Sequence, residues 1–97
     1  MTVYVIIQTT VDDTETHHRE IVPKLMRAVK RHGGKRIALG HGDQLRVHLG
    51  EPPNANRVVV HEFPSIEAVE ALVDDIKAMR EQLHTLGNLT ITSVSAI

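Results

Sequence analysis

The pattern of apolar and polar positions divides the chain into segments of two kinds. Runs of β-branched and alternating apolar residues predict strands, whereas apolar residues three and four positions apart predict helices. The predicted strands cover Val3–Val11, Lys35–Leu39 with a continuation over Gln44–Leu49, Arg57–Phe63 and Leu89–Ala96, and the predicted helices run from Asp12 to about His32 and from Ser65 to Gly87. This β-α-β-β-α-β order predicts one ferredoxin-like α+β domain over residues 1–97, in which a four-stranded antiparallel sheet carries two helices on one face.

Local breaks refine these boundaries. Pro23 lies inside the apolar stripe of the first helix, and because it has no N–H it should kink the helix or restart it there. Gly33–Gly34 provide the left-handed stop of that helix, and Ser65 is the N-cap of the second. The second helical region is either one long helix or two short helices that meet near Asp74–Asp75. Residues 40–43 are expected to form a bulge or a tight turn.

The first and third strands are apolar on both faces. Val3–Ile7 and Val58–Val60 contain consecutive apolar residues, yet two helices cover only one face of the sheet. An exposed apolar patch of that size is unusual on a soluble monomer. We therefore expect a closed two-fold homodimer in which two copies pair sheet-to-sheet as a dimeric α+β barrel.

Burial suggests a register for the pair of strands joined by Gly50–Asn56. If Gly50 faces Arg57, then His48 faces Val59 and Arg46 faces His61. This register places Leu45, Val47, Leu49, Val58 and Val60 on the buried face, and it places Arg46, His48, Arg57 and His61 on the other face, at the parity of Phe63.

Two imidazoles and two guanidiniums on one sheet face suit a carboxylate or an enolate-like ligand, since Arg binds such groups bidentately and His exchanges protons near neutral pH. The alternative is that these side chains contact water or a dimer partner. The candidate catalytic residues are His61, His48 and His18, and the candidate ligand-binding residues are Arg46, Gln8 and Arg80. His18 shares a helix face with Ile21, and it either lines a pocket between helix and sheet or is a hydrogen-bonded core histidine.

Composition limits the classes of partner and cofactor that we expect for this protein. With 11 Lys and Arg against 12 Asp and Glu, the net charge is −1, and no basic run favours nucleic acid or an anionic membrane. There is no Cys, and no His spacing indicates a metal site, so we expect neither a metal nor a tightly bound cofactor. The opening MTVYVIIQTT has no basic region and soon turns polar, which favours a cytoplasmic location.

Several stretches together resemble one known family. They are the opening YVIIQ, Val22-Pro23 followed by HGGK, the glycine-interrupted strand and RVVVHEFPSIEAVEAL, of which RVVVHEFPS is the most specific. Over nearly its whole length the chain resembles the DUF-thirteen-thirty family, which has no agreed reaction. The resemblance implies a ferredoxin-like monomer in the dimeric α+β barrel superfamily, whose members include small monooxygenases, cyclases, isomerase-like enzymes and proteins of no known activity.

The chain also departs from the pattern of that family. His18 and His32 stand roughly where members tend to carry tyrosines, and His61 stands where an aliphatic residue is usual. The segment VDDIKAM lacks the Ser-Pro-Glu-Tyr break of the family, although Arg80 follows where an Arg is common. A tyrosine-lined pocket in relatives would therefore be altered here.

These patterns lead to two functional hypotheses. The first is a homodimeric, cofactor-independent enzyme or small-organic-ligand-binding barrel that uses His/Arg proton transfer and anion anchoring. The alternative is a non-catalytic homodimeric binding or regulatory module. The two differ in whether the polar groups converge on a closed cavity.

Overall fold

The structure, a computed structural model, describes all residues from 1 to 97. It contains four strands in the spatial order β2-β3-β1-β4, and every neighbouring pair is antiparallel. The strands are β1 (Val3–Val11), β2 (Lys35–His41), β3 (Arg57–Phe63) and β4 (Leu86–Ser95), and the α-helices are α1 (Thr14–Thr16), α2 (Val22–Arg31) and α3 (Ile66–Ala78). The predicted β-α-β-β-α-β order and the antiparallel sheet are confirmed.

The hydrophobic core lies between the helices and one face of the sheet. Strand β1 contributes Val3 and Val5, which are almost fully buried, and β3 contributes Phe63 at the same level. Helix α2 adds Ala28 and Val29, and α3 adds Val69, Leu72 and Ile76. Because successive strand residues point to opposite faces, the alternate residues of β1 and β3 face away from the helices.

The first helical region is interrupted, as Pro23 predicts. Thr14–Thr16 is followed by a π turn over His17–Ile21, and helix α2 then begins at Val22 with Pro23 in its first turn. Proline is tolerated in a first turn because the N–H that it lacks has no partner there in any case. The regular α-helix therefore restarts with Pro23 in its first turn, and the π turn before it accommodates the proline.

The predicted strand over Gln44–Leu49 is wrong. Strand β2 ends at His41, a 3₁₀ turn covers Gly42–Gln44, and the chain from residue 45 to 56 has no regular structure. The reason is the register, because His41 rather than Gly50 faces Arg57. Six of the seven residues of β3, from Arg57 to Glu62, are then paired with β2, so no stretch of β3 is left to pair with the alternating segment.

The second helical region also ends earlier than its periodicity predicts. Helix α3 begins after the predicted N-cap Ser65, whose hydroxyl accepts a hydrogen bond from the Ala68 N–H at 3.2 Å, but it ends at Ala78. A 3₁₀ turn over Arg80–Gln82 follows. Gly87 lies in β4 opposite Thr10 instead of ending a helix.

Candidate functional site

A pocket lies between the helices and the covered face of the sheet. It is lined by 15 residues, 10 of them hydrophobic, and holds about 550 Å³ of space free of protein atoms, including its open mouth. Within that space, the centre of a water-sized sphere can occupy about 40 Å³, on a scale where one water needs about 10–15 Å³. The polar lining residues are Thr9, His17, Arg36, Arg57 and His61.

Strand β3 brings Arg57 and His61 into this pocket. Its residues alternate, so Arg57, Val59, His61 and Phe63 face the helices, and all four are buried. Arg57 and His61 do share a face, as predicted, but the assignment of that face to the polar side was wrong. The helices cover the face that carries Phe63, and the two polar residues are buried with it.

The start of β3 is held against the end of β1 by Asn56. The side chain of Asn56 accepts a hydrogen bond from the Val11 N–H and donates one to the Val11 carbonyl oxygen, both at 2.8 Å. The Asn56 N–H also donates to the Thr9 carbonyl oxygen at 3.1 Å. These bonds fix the backbone immediately before Arg57, which limits where its guanidinium can lie.

Arg36 enters the pocket from β2, where it pairs with His61. Its Nη2 donates to the Met26 sulfur at 3.3 Å, and its buried Nε has no hydrogen-bond partner. The ion pairs of the chain link Arg19, Arg31 and His32 to acids elsewhere, and none involves Arg36 or Arg57. No Asp or Glu lines the pocket, so two guanidiniums share it without an anionic partner.

His17 reaches the pocket from the π turn. It is 1% exposed, and its Nδ1 lies 2.9 Å from the Thr85 hydroxyl. The Val22 N–H donates to the His17 carbonyl oxygen, five residues back, as a π turn requires. This turn rotates His18 away from the face of Ile21, so His18 is exposed, whereas His17, four residues before Ile21, stays on that face and points inward. His18 therefore neither lines the pocket nor lies in the core, and both alternatives for it were wrong.

Burial and mutual repulsion keep both imidazoles neutral. Burial lowers the pKa of His61 to about 4, and the charge of Arg36 adds to the effect. Burial also lowers the pKa of His17 to about 4, with further contributions from the charges of Arg57, His18 and Arg36. The pKa of Arg57 is lowered by burial and then by Arg36. The charge of Arg36 therefore adds to the effect of burial on all three other groups.

The remaining predicted site residues lie outside this pocket. Arg46 and His48 are exposed in the irregular segment after β2, because that segment does not pair with β3. Gln8 lies on the uncovered face of the sheet, opposite Val58 and Thr90. Arg80 is exposed on the turn after α3. Of the six predicted residues, only His61 lines the pocket.

From the sequence alone, His17 and Arg36 were not identified as site residues, and Arg57 was assigned to the polar face of the sheet instead of the face that the helices cover. One signal was available for Arg57 and His61, since the only Phe in the chain, Phe63, has their parity, and a Phe is more strongly driven to the core than Val. No comparable signal exists for Arg36, whose position depends on the pairing of β2 with β3. His17 did carry a signal, because it stands four residues before Ile21 and eight before Leu25, which is the spacing of one helix face.

No three or more His, Cys, Asp or Glu side chains come together in a set that could hold a metal ion. None of the helices has the length and hydrophobicity needed to cross a membrane.

Solved structures of other proteins share this fold at low sequence identity. A protein of unknown function from Rhodopseudomonas palustris superposes with a TM-score of 0.71 and 11% identity, over 99% of this chain and 82% of that one. A dimeric ferredoxin-like protein of unknown function from Thermobifida fusca gives a TM-score of 0.52 and 17% identity, over 99% of this chain and 92% of that one. A de novo designed protein gives 0.58 and 17%, over 100% of both chains. These likenesses show that the fold is ferredoxin-like.

Sequence comparison identifies the family. None of the curated proteins matches this chain. The family described as a domain of unknown function, DUF1330, matches residues 2–94. The match covers nearly the whole chain, including both helical regions and all four strands up to residue 94. The chain therefore belongs to the DUF1330 family.

Proposed function

We propose that this protein binds a small organic anion in the pocket between its helices and its sheet. One observation carries the proposal: Arg36 and Arg57 both line the pocket, and neither has an acidic partner. Arg57 is only 5% exposed. A buried cation without a counter-charge costs several kcal/mol in general, and a bound anion would offset that cost.

The chemistry of the guanidinium indicates which anions fit. Its donors form a planar fork that matches a carboxylate and can bind it through two parallel hydrogen bonds. The Nε of Arg36 is buried and has no partner, so one such donor is free to bind an anion in this pocket. A carboxylate or an enolate-like oxygen would satisfy it.

His61 is the group suited to move a proton in the same site. It is 3% exposed, and neither Nδ1 nor Nε2 has a hydrogen-bond partner. The charged groups around it are Arg36 from β2 and Arg57 from β3, while the lining residues of β1, α3 and β4 are uncharged. Positive charge on the His61 imidazole is repelled by these cations, and an anion placed beside them cancels part of that repulsion. His61 would therefore take up a proton as the anion binds.

Calorimetric titration with butyrate and with its neutral amide tests the binding proposal. We expect butyrate to bind and butyramide not to bind, because only the acid has a charge that the guanidiniums can pair. Arg57→Met and Arg36→Met remove one charge each with little change in volume and should weaken butyrate binding about 10-fold or more. Arg27→Met, which removes an exposed Arg of α2, is the matched control and should bind like the wild type.

Repeating the titration at pH 6 in two buffers of different ionisation enthalpy measures the protons taken up. The wild type should take up protons on binding, and His61→Leu should lose most of this uptake. Equal butyrate affinity in Arg57→Met and the wild type would contradict the anion site. Binding without proton uptake would leave the non-catalytic binding module as the better description.

We also propose that two copies pair through the uncovered face of the sheet. This face carries Ile6, Val58 and Val60, which no other part of the chain covers completely, and beside them the exposed Tyr4 and Val94. The similar protein from Thermobifida fusca is described as dimeric, which supports the same state here. Pairing of the two sheets would bury this apolar surface from water.

A further inference from the structure

The apolar walls of the pocket limit the class of ligand further than the two guanidiniums do. This inference rests on the proposed anion site. The walls come from every surrounding element: Val22 and Leu25 from α2, Leu72 from α3, Ile7 from β1 and Leu89 from β4 all line it. Their side chains have no hydrogen-bonding groups. Any part of a ligand beyond its acid group therefore faces hydrocarbon.

The polar groups of the pocket leave few partners for a second polar group on the ligand. The Thr9 hydroxyl is already used, since it donates to the Gly87 carbonyl oxygen at 2.8 Å. The Nδ1 of His17 is occupied by Thr85. No Asn, Gln, Asp or Glu lines the pocket. Both ring nitrogens of His61 are unpaired, but His61 pairs with Arg36 across the two strands and so lies at the acid end of the ligand. A ligand hydroxyl or amide at the other end would lose its water without gaining a partner, which weakens binding.

A ligand ammonium group fits even less well. No carboxylate lines the pocket to pair with it, while Arg36 and Arg57 would repel it. Amino acids and other zwitterions are therefore disfavoured relative to simple acids of the same length. The centre of a water-sized sphere can occupy only about 40 Å³ of the pocket, which favours a short chain over a long one.

We propose that the pocket selects short-chain carboxylic acids whose hydrocarbon part has no hydroxyl, amide or ammonium group. The acid group lies at Arg36 and Arg57, and the hydrocarbon part contacts the apolar walls formed by α2, α3 and the sheet. Hydroxy acids, amino acids and inorganic oxyanions of similar charge are then weaker ligands.

Calorimetric titration of the whole chain with a matched set of acids tests this selection. Butyrate should bind about 15-fold more tightly than acetate, since each buried methylene contributes roughly a factor of four. Both 4-hydroxybutyrate and 4-aminobutyrate should bind about 5- to 100-fold more weakly than butyrate, because their added group at the far end of the chain finds no partner. Inorganic phosphate should bind more weakly than butyrate.

A pair of variants tests the walls directly. Val22→Thr keeps the shape of a lining residue and adds a hydroxyl, so it should lower the preference for butyrate over 4-hydroxybutyrate about threefold or more. Val73→Thr makes the same change at a half-buried site of α3 that does not line the pocket and should leave the preference unchanged. The readout is a ratio of two affinities on one protein, so a small loss of stability does not affect it.

The outcomes separate the two proposals. If phosphate, acetate and 4-hydroxybutyrate bind as tightly as butyrate and Arg57→Met abolishes the binding of all of them, the anion site stands and the selection for apolar acids is overturned. An unchanged preference in Val22→Thr also overturns it. If no anion binds, both proposals fall. Tighter binding of butyrate, reduced selectivity in Val22→Thr and no change in Val73→Thr support the selection.

Discussion

At the scale of single residues, His61 is the least satisfied group of the chain. Its ring packs against Phe63 in a T-shaped arrangement with centroids 6.3 Å apart, and both of its nitrogens are buried without a partner. An unpaired buried imidazole costs free energy of folding, and a charged one costs more. The protein retains this cost in the same pocket as two unpaired guanidiniums, which agrees with a site used for binding.

The lowered pKa of His61 predicts how stability depends on pH. The unfolded imidazole titrates near 6.5 and the folded one at about 4, so between these values the unfolded state holds more protons and stability falls with falling pH. We expect a loss of about 3 kcal/mol from His61 across this window. His17, whose pKa is also about 4, should add to the loss. Urea unfolding at pH 7, 6, 5 and 4.5 measures it.

Two variants test whether His61 causes this pH dependence of stability. His61→Leu should be at least as stable as the wild type at pH 7 and should show a shallower fall towards pH 4.5. His84→Gln removes an exposed imidazole and should follow the wild type. Asp13 and Asp75, whose pKa values lie below 3.8, lose their contribution at lower pH and do not account for this window. A slope that is the same in His61→Leu would contradict the assignment.

At the scale of elements, the connection from α2 to β2 is held tightly against β3. Gly33 has φ +76°, a left-handed conformation that ends α2, and Gly34 follows against the core. A Cβ on Gly34 would lie 2.5 Å from the ring of Phe63 and 2.7 Å from Val29. Both contacts are far shorter than carbon atoms allow, so this position requires a residue without a side chain.

Gly34→Ala should therefore lower the free energy of unfolding by about 1–3 kcal/mol, as overpacking of a core does. Gly87→Ala is the matched control, because a Cβ there would lie 3.5 Å from the Thr10 carbonyl oxygen, an ordinary contact. Urea unfolding of both variants at pH 7 makes the comparison. Equal stability of the two would show that Phe63 moves aside without cost.

The pairing of elements also explains why the predicted strand over Gln44–Leu49 does not form. Leu45, Val47 and Leu49 alternate with polar residues as a strand would, yet Leu49 is 96% exposed and Val47 is 49% exposed. Alternation describes which side chains would share a face, but a strand also needs a partner with free backbone groups. Residues 57–62 of β3 are paired with Lys35–His41 on that side, so no stretch long enough for a second strand remains.

At the scale of the whole molecule, the chain is a slab with extents of 33 × 32 × 17 Å. Its thickness corresponds to one sheet and one layer of helices, as a two-layer α+β architecture requires. The far face of the sheet therefore has no cover from its own chain. Ile6 and Val60 pair on the two central strands of that face.

A charge at the centre of this face should separate the proposed dimer. We expect the wild type to have twice the 10.8 kDa mass of one chain in sedimentation at micromolar concentration. Val60→Glu should reduce it to the single-chain mass, because a buried carboxylate without a partner is costly at an interface. Val47→Glu, in the irregular segment, should stay dimeric. A wild type that sediments as a monomer would contradict sheet-to-sheet pairing.

Sequence alone determined the order of the elements, the restart of the helix at Pro23, the N-cap at Ser65 and the presence of apolar residues on both faces of β1 and β3. These features depend on local periodicity, on missing N–H groups and on short side chains beside a helix end, all of which act within a few residues. The family was equally accessible, since RVVVHEFPS occurs in one continuous stretch.

Only the tertiary structure decided which side chains form the pocket. Arg36 meets His61 because β2 and β3 adopt one register among several that the sequence allows, and a change of register would move Arg36 away. His18 is exposed because the π turn rotates it away from the face of Ile21, whereas His17, four residues before Ile21, stays on that face. Arg57 and His61 are buried because the helices cover the Phe63 face, and that choice depends on the packing of whole elements against each other.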